Sequence, residues 1–155
     1  MTGVQTCALP ISITMATSST YPSADWIDGI TMNDAFYEIQ TNKNVCNFTE
    51  SVSIDLNNGT TFFNQVVSIV LSRRETTKRD FIEKLVAGQK QLALIVLDSN
   101  GIYWYFGKDE GAYVSAIEGG SGTAKADANG YTITLTAMEP DQAYQIDPTI
   151  ISGLI

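Results

Sequence analysis

Residues 46–72 read CNFTESVSIDLNNGTTFFNQVVSIVLS, and this stretch decides the fold class. Ahead of Asn58-Gly59, Cys46, Phe48, Val52, Ile54 and Leu56 share one face of an extended chain, while Asn47, Thr49, Ser51, Ser53 and Asp55 share the other. Behind it, Phe63, Val67, Ile69 and Leu71 alternate with Asn64, Ser68 and Ser72. Strand side chains point to opposite faces in turn, so period-two patterning on both arms marks a β-hairpin. Asn and Gly tolerate the positive φ of a tight type I′ turn, which makes Asn-Gly between such arms a strong hairpin signal. The arms, Val45 to Leu56 and Thr60 to Arg73, are ~40 Å long at ~3.3 Å per residue. A ribbon of that length needs a partner sheet.

The Asn-Gly signal recurs at Asn100-Gly101 and Asn129-Gly130, each flanked by strand-like sequence. Gln91 to Leu97 and Ile102 to Phe106 form a hairpin that is apolar on both faces, as an interior ribbon would be. Ala35 to Gln40 and Ala112 to Ile117 read as shorter strands, and Tyr131 to Met138 alternates again. Glu75 to Gly88 is the one helix: Phe81, Ile82, Leu85 and Val86 share a face, Thr77 and Asp80 suit a capping box, and Gly88 suits a stop. Glu118 to Ala128 is Gly/Ser-rich and reads as a surface loop. No proline falls between Ser23 and Glu139, so nothing interrupts the strands. The expected fold is mainly β: an antiparallel β-sandwich or partly closed barrel with one flanking α-helix at about residues 76–88.

The 155 residues allow one domain with a real core. Met1 to Ile11 resembles the translation of a sequencing adapter, as at the edge of a metagenomic assembly. Residues 1–12 are therefore expected to be non-native, residues 13–30 a flexible N-terminal arm, and residues 31–155 a single β domain with an extended C-terminal tail from Pro140. Without Cys7, Cys46 is the only thiol, and on an alternating face it reads as a small core hydrophobe. No disulfide is expected.

A formal charge of −8 without a basic stripe argues against a nucleic-acid-binding surface. No apolar run approaches the ~20 residues of a membrane span. The chain has no His, which removes the commonest general base and metal ligand together. Asp98-Ser99-Asn100-Gly101 and Asp127-Ala128-Asn129-Gly130 open like calcium loops, but the twelfth positions are Asp109 and Met138 and not the bidentate Glu. Asp capping its own turn is the better account. Gly119-Gly120-Ser121-Gly122 lacks the following Lys-Ser/Thr of a phosphate cradle and reads as a flexible loop. The carboxylate pairs Asp109-Glu110 and Glu139-Pro140-Asp141 read as solvated turns. Asn47-Phe48-Thr49 and Asn58-Gly59-Thr60 match glycosylation acceptors at low specificity. No triad, metal set or cofactor fingerprint is present, so no catalytic residue, cofactor or metal is assigned and the chain is not read as an enzyme.

Charge placement carries the functional content. Arg73, Arg74, Lys78, Arg79, Lys84 and Lys90 are six of the nine basic residues. After Lys90, two lysines face eight acids, a net of −6. A basic helix face and an acidic remainder suit head-to-tail association, which makes Arg73, Arg74, Lys78, Arg79 and Lys84 the candidate subunit interface. The alternative is a solvated helix with ordinary intrahelical pairs.

The segment Asp98-Ser99-Asn100-Gly101-Ile102-Tyr103-Trp104-Tyr105-Phe106-Gly107, followed by Gly122, Asp127, Asn129-Gly130-Tyr131 and Glu139, resembles small structural proteins of tailed bacteriophages, especially those of gut Bacteroidota hosts. The resemblance covers roughly Val45 to Ile150 as a pattern and has no single diagnostic motif. It implies a virion structural protein like a tail tube or tail-associated ring subunit. Such a protein is a β-sandwich or barrel that assembles with itself around a DNA channel. The implied partners are further copies in a head-to-tail ring or tube and other virion tail or connector proteins. DNA would only pass non-specifically through the lumen. The implied location is the phage tail, after synthesis in the host bacterial cytoplasm. The reading from another class is a ligand- or carbohydrate-binding β module stacking on Tyr103, Tyr105 or Tyr113.

Overall fold

The computed structural model describes residues 3–8, 12–15, 26–31, 36–41, 46–87, 91–123, 127 and 129–154. Strands β1 (Gly3–Ala8), β2 (Ser12–Met15), β3 (Trp26–Thr31) and β4 (Tyr37–Gln40) precede the long pair β5 (Asn47–Asp55) and β6 (Thr60–Ser72). Helix α1 (Thr76–Ala87) follows, then β7 (Leu92–Leu97), β8 (Tyr103–Phe106), β9 (Tyr113–Gly120), β10 (Gly130–Glu139), β11 (Tyr144–Ile146) and helix α2 (Pro148–Ile151). They sort into a seven-stranded sheet A, ordered β2-β3-β11-β8-β7-β1-β4, and a four-stranded sheet B, ordered β5-β6-β10-β9. All pairings are antiparallel except β11 with β3. The fold is therefore mainly β, as the alternation predicts, but both sheets stay open and a second helix is present.

The sheets meet through one apolar layer. Val67, Ile69 and Leu71 of β6 with Ile133, Leu135 and Ala137 of β10 face Leu92, Leu94, Val96 and Phe106 of sheet A, and Ile82 of α1 closes the layer. Burial of that area is the main stabilising term. Sheet A is covered on its other face too: Ala93, Ile95, Tyr105, Ile27 and Ile146 pack with Ile151 of α2. This explains why β7 is apolar on both faces.

Turn geometry departs from the two-residue expectation. Asp55 pairs with Thr60, leaving a four-residue loop with Gly59 at φ 66°. At Asn100-Gly101 the loop is closed by Asp98 N–H donating to Ile102 O at 3.0 Å, with Gly101 at φ 82°. Both are the longer, bulge-type hairpin loops that also need a left-handed Gly. Asn129-Gly130 is not a turn: Gly130 opens β10, and its φ is not positive. Glu118 to Gly120, expected in a loop, complete β9.

The helix spans Thr76–Ala87, with Thr77 already inside it; Gly88 lies outside the described residues. Two stretches placed outside the β domain by sequence join sheet A. Gly3–Ala8 form β1, between β4 and β7, and the arm at 13–30, expected to be flexible, supplies most of β2 and of β3. An interior strand such as β7 needs backbone partners on both edges, and β1 and β8 provide them. The C-terminal tail is likewise built in: β11 pairs with β8 and β3, and Asp147 caps α2, its Oδ1 accepting from Thr149 N at 2.8 Å. Short, aperiodic segments of this kind are placed by tertiary pairing and not by pattern.

Candidate functional site

Sheet A ends in β2 and β4, four residues each, too short to template another chain. Sheet B ends in β5 and β9, nine and eight residues long. Neither contains Lys, Arg or Pro, the residues that usually blunt an edge. β9 does carry one bulge, opposite Thr134 and Leu135. Because β5, β6, β10 and β9 are successively antiparallel, β5 and β9 run in opposite directions. A second copy in the same orientation thus presents its β5 antiparallel to β9 of the first.

The β5–β6 ribbon overhangs the body. β10 ends opposite Phe63, so Thr60 to Phe62 pair with β5 alone. Glu50, whose Oε1 accepts from Ala143 N at 2.7 Å, marks where the ribbon leaves the core. Beyond it the core-facing side of β5 continues into solvent, with Val52 51%, Ile54 60% and Leu56 90% exposed. The tip is pinned by Asp55: its Oδ1 accepts from Asn57 N at 2.9 Å and Asn58 N at 3.3 Å. Those two backbone donors hold the Asp55 carboxyl below the usual Asp range.

The candidate basic set divides between local duties and the surface. Lys78 donates to the Ser72 carbonyl and lies 3.6 Å from Glu75. Arg79 pairs with Glu83 at 2.8 Å, one helical turn on. The Arg74 guanidinium sits 5.2 Å from the Tyr131 ring centre, a cation–π contact. Arg73 takes a left-handed φ of 65° and donates its N–H to Asn129 O at 2.6 Å, joining β6 to the start of β10. Lys84 lies in the last turn of α1, where a cation suits the helix dipole. Beside this helix, Ile82, Val86 and Ala87 form a groove with Val114 and Ile117 of β9, with a volume of 610 Å³.

One polar centre was not legible in the sequence. Glu139 reads as part of a solvated turn, yet it is 3% exposed. Its Oε2 accepts from Asp109 N at 2.9 Å, and its Oε1 from Glu110 N at 3.0 Å and Gly111 N at 3.2 Å. Burial raises its pKa above the ordinary Glu value, while the Asp109 and Glu110 donors pull it back in part. Buried Gln65 continues the centre: its Oε1 accepts from Gly107 N at 3.2 Å and its Nε2 donates to Asp141 O at 3.2 Å. The two carboxylate pairs of the sequence are thus brought together, to fasten the β8–β9 loop to the end of β10. With every Glu139 oxygen taken by backbone N–H groups, the arrangement is a clamp.

The Asp-x-Asn-Gly segments also serve the fold. Asp98 Oδ1 accepts from Asn100 N and Ile102 N at 2.7 and 3.0 Å, and Oδ2 accepts from Trp104 Nε1 at 3.2 Å. Burial opposes ionisation there, but the Ile102, Trp104 and Asn100 donors together keep the carboxyl below its ordinary value. Asp127 Oδ2 accepts from Thr123 N at 2.7 Å across the β9–β10 loop. Among the described residues no group of three or more His, Cys, Asp or Glu could hold a metal ion. Cys46 is free and buried, its Sγ accepting from Val70 N at 3.2 Å.

Of the three tyrosines considered as a stacking platform, Tyr105 is fully buried, and Tyr103 and Tyr113 belong to different sheets. A separate cleft of 470 Å³ is lined by Trp26, Phe63, Trp104, Asp141 and Tyr144. No helix among the described residues is long and apolar enough to cross a membrane. Compared with protein-family models, curated proteins and solved structures, the chain gives no match.

Proposed function

We propose that this chain is a virion structural subunit of the tail-tube or tail-ring kind, whose work is to assemble with its own copies. The observation that carries this reading is sheet B: two long edges, free of Lys, Arg and Pro, run in opposite directions so that identical copies extend one antiparallel sheet. The interface is heterologous, so it closes into a ring when the rotation between copies permits. A net charge of −8 suits a channel along which DNA slides without sticking. Other tail or connector proteins would meet the ends of such a ring. The resemblance of the Asp98 to Glu139 segment to tailed-phage structural proteins supports the same reading.

Sizing and negative-stain microscopy of the purified full chain test it. Rings or tubes are expected. A species that stays monomeric at high concentration, or a monomer that binds glycans in the aromatic cleft, would overturn it in favour of a ligand-binding module.

A further inference from the structure

Six large apolar side chains stand exposed among the described residues: Val52, Ile54, Leu56, Val86, Tyr113 and Met138. Three of them form the stripe on the overhanging β5–β6 ribbon, and Val86 lines the groove between α1 and β9. The stripe therefore lies at one edge of sheet B and the groove at the other. Both belong to the core-facing side of that sheet. Val52 lies opposite Phe63, in line with core residues Val67, Ile69 and Leu71, while Val114 lies opposite core residue Leu135 and Ile117 opposite core residue Ile133.

We infer that the distal half of β5 adds to β9 of a second copy and lays Val52, Ile54 and Leu56 into the α1–β9 groove. This deepens the self-assembly reading and rests on it. Direction, face and charge agree. The incoming β5 is antiparallel to β9, so its backbone meets a compatible ladder. Period-two spacing puts Val52 and Ile54 on the side where Ile82, Val86, Val114 and Ile117 wait, and Leu56 follows them as the first residue of the loop. Glu50 and Asp55 are the only charges between residues 47 and 60, giving the ribbon a charge of −2. From Arg73 to Ala87, five bases against three acids leave +2. Opposite charge at the rim with apolar contact at the centre is the usual anatomy of a specific interface. The helix thus takes part in association mainly through the apolar groove it builds, with its bases setting orientation.

Two measurements on the full chain test the inference. Ile54→Asp is expected to weaken self-association about tenfold or more while leaving thermal unfolding of the monomer unchanged, since the side chain is exposed there. Leu56→Cys and Val86→Cys copies, mixed under oxidising conditions, are expected to cross-link to each other, and to do so only in the mixture. Assembly unaffected by Ile54→Asp, together with no mixed cross-link, would overturn this seating while leaving self-assembly intact. A wild-type chain that never associates would overturn both.

Discussion

Glu139→Ala is expected to lower stability by about 3 kcal/mol, because three backbone N–H groups lose their acceptor and each unsatisfied donor costs roughly 1–3 kcal/mol. The donors belong to Asp109, Glu110 and Gly111 of the β8–β9 loop. Water entering the vacated site and the relief of a desolvated carboxylate offset part of the loss. Equilibrium denaturation at neutral pH measures it; a change within about 0.5 kcal/mol, as at an ordinary surface site, would contradict the clamp. The pH dependence has a definite sign. The Glu139 pKa is raised in the folded state from an ordinary 4.5, chiefly by burial. Its contribution is therefore fully present below about 4.5 and is lost as pH rises through the raised folded value. Glu139→Gln starts less stable than wild type, because its amide nitrogen faces a backbone N–H that a carboxylate oxygen accepted from, but the gap should narrow across that window, since an amide does not ionise. Asp109 and Glu110, with Lys108 at 3.3 Å from Asp109, and Asp141, held by Tyr144 Oη–H at 2.6 Å, are the charged groups around it, and they remain in both proteins.

Gly130→Ala should be similarly damaging, for a different reason. A Cβ on Gly130 would stand 2.2 Å from the Leu71 carbonyl oxygen and 3.1 Å from its carbon. Backbone supplies both atoms, and Gly130 is held between Ser72 on β6 and Gly120 on β9, so the strand cannot step aside. The expected loss is roughly 3 kcal/mol, at the upper end for overpacking. Urea denaturation should show a lower midpoint with the slope unchanged. A loss below about 1 kcal/mol would mean that β10 and β6 can separate locally at little cost.

These two residues show where the sequence is legible and where it stops. The arms of the β5–β6 hairpin were readable because one face is apolar at every second position, and burial of that face fixes both strand type and register. The β7–β8 ribbon was readable because apolar residues on both faces demand cover on both sides. Gly130 looked like a turn residue because Asn-Gly usually needs positive φ; its requirement is close approach to Leu71, which depends on a strand 59 residues earlier in the chain. Glu139 was hidden by its neighbours Pro140 and Asp141, which give the segment a turn-like composition, while its partners lie 28 to 30 residues away. β2 and β11, of four and three residues, are too short to carry a period, and β1 and β3 do not alternate cleanly between apolar and polar residues. The basic residues were visible as a cluster, but much of that cluster is occupied locally by Ser72, Glu75, Glu83 and Tyr131. The apolar groove beside them needed the packing of α1 against β9 to be seen.

The residues that carry the phage-like pattern now have physical duties. Asp98 ties its hairpin to Trp104, Gly107 at φ 71° would bring a Cβ to 2.5 Å from Ala112 N, and Glu139 clamps the loop between them. They are devices that hold the β7–β8 hairpin of sheet A and the β8–β9 loop that links it to sheet B, and the proposed function resides in the edges of sheet B.

Amide hydrogen exchange of the full chain at low and high concentration tests the central claim most directly. In an edge strand every second N–H points away from its neighbour and exchanges freely until another strand pairs with it. Joining of β5 to β9 predicts that outward amides of Ser51 to Asp55 and of Tyr113 to Gly120 become protected together as concentration rises. Protection confined to other segments, or none at any concentration, would contradict it.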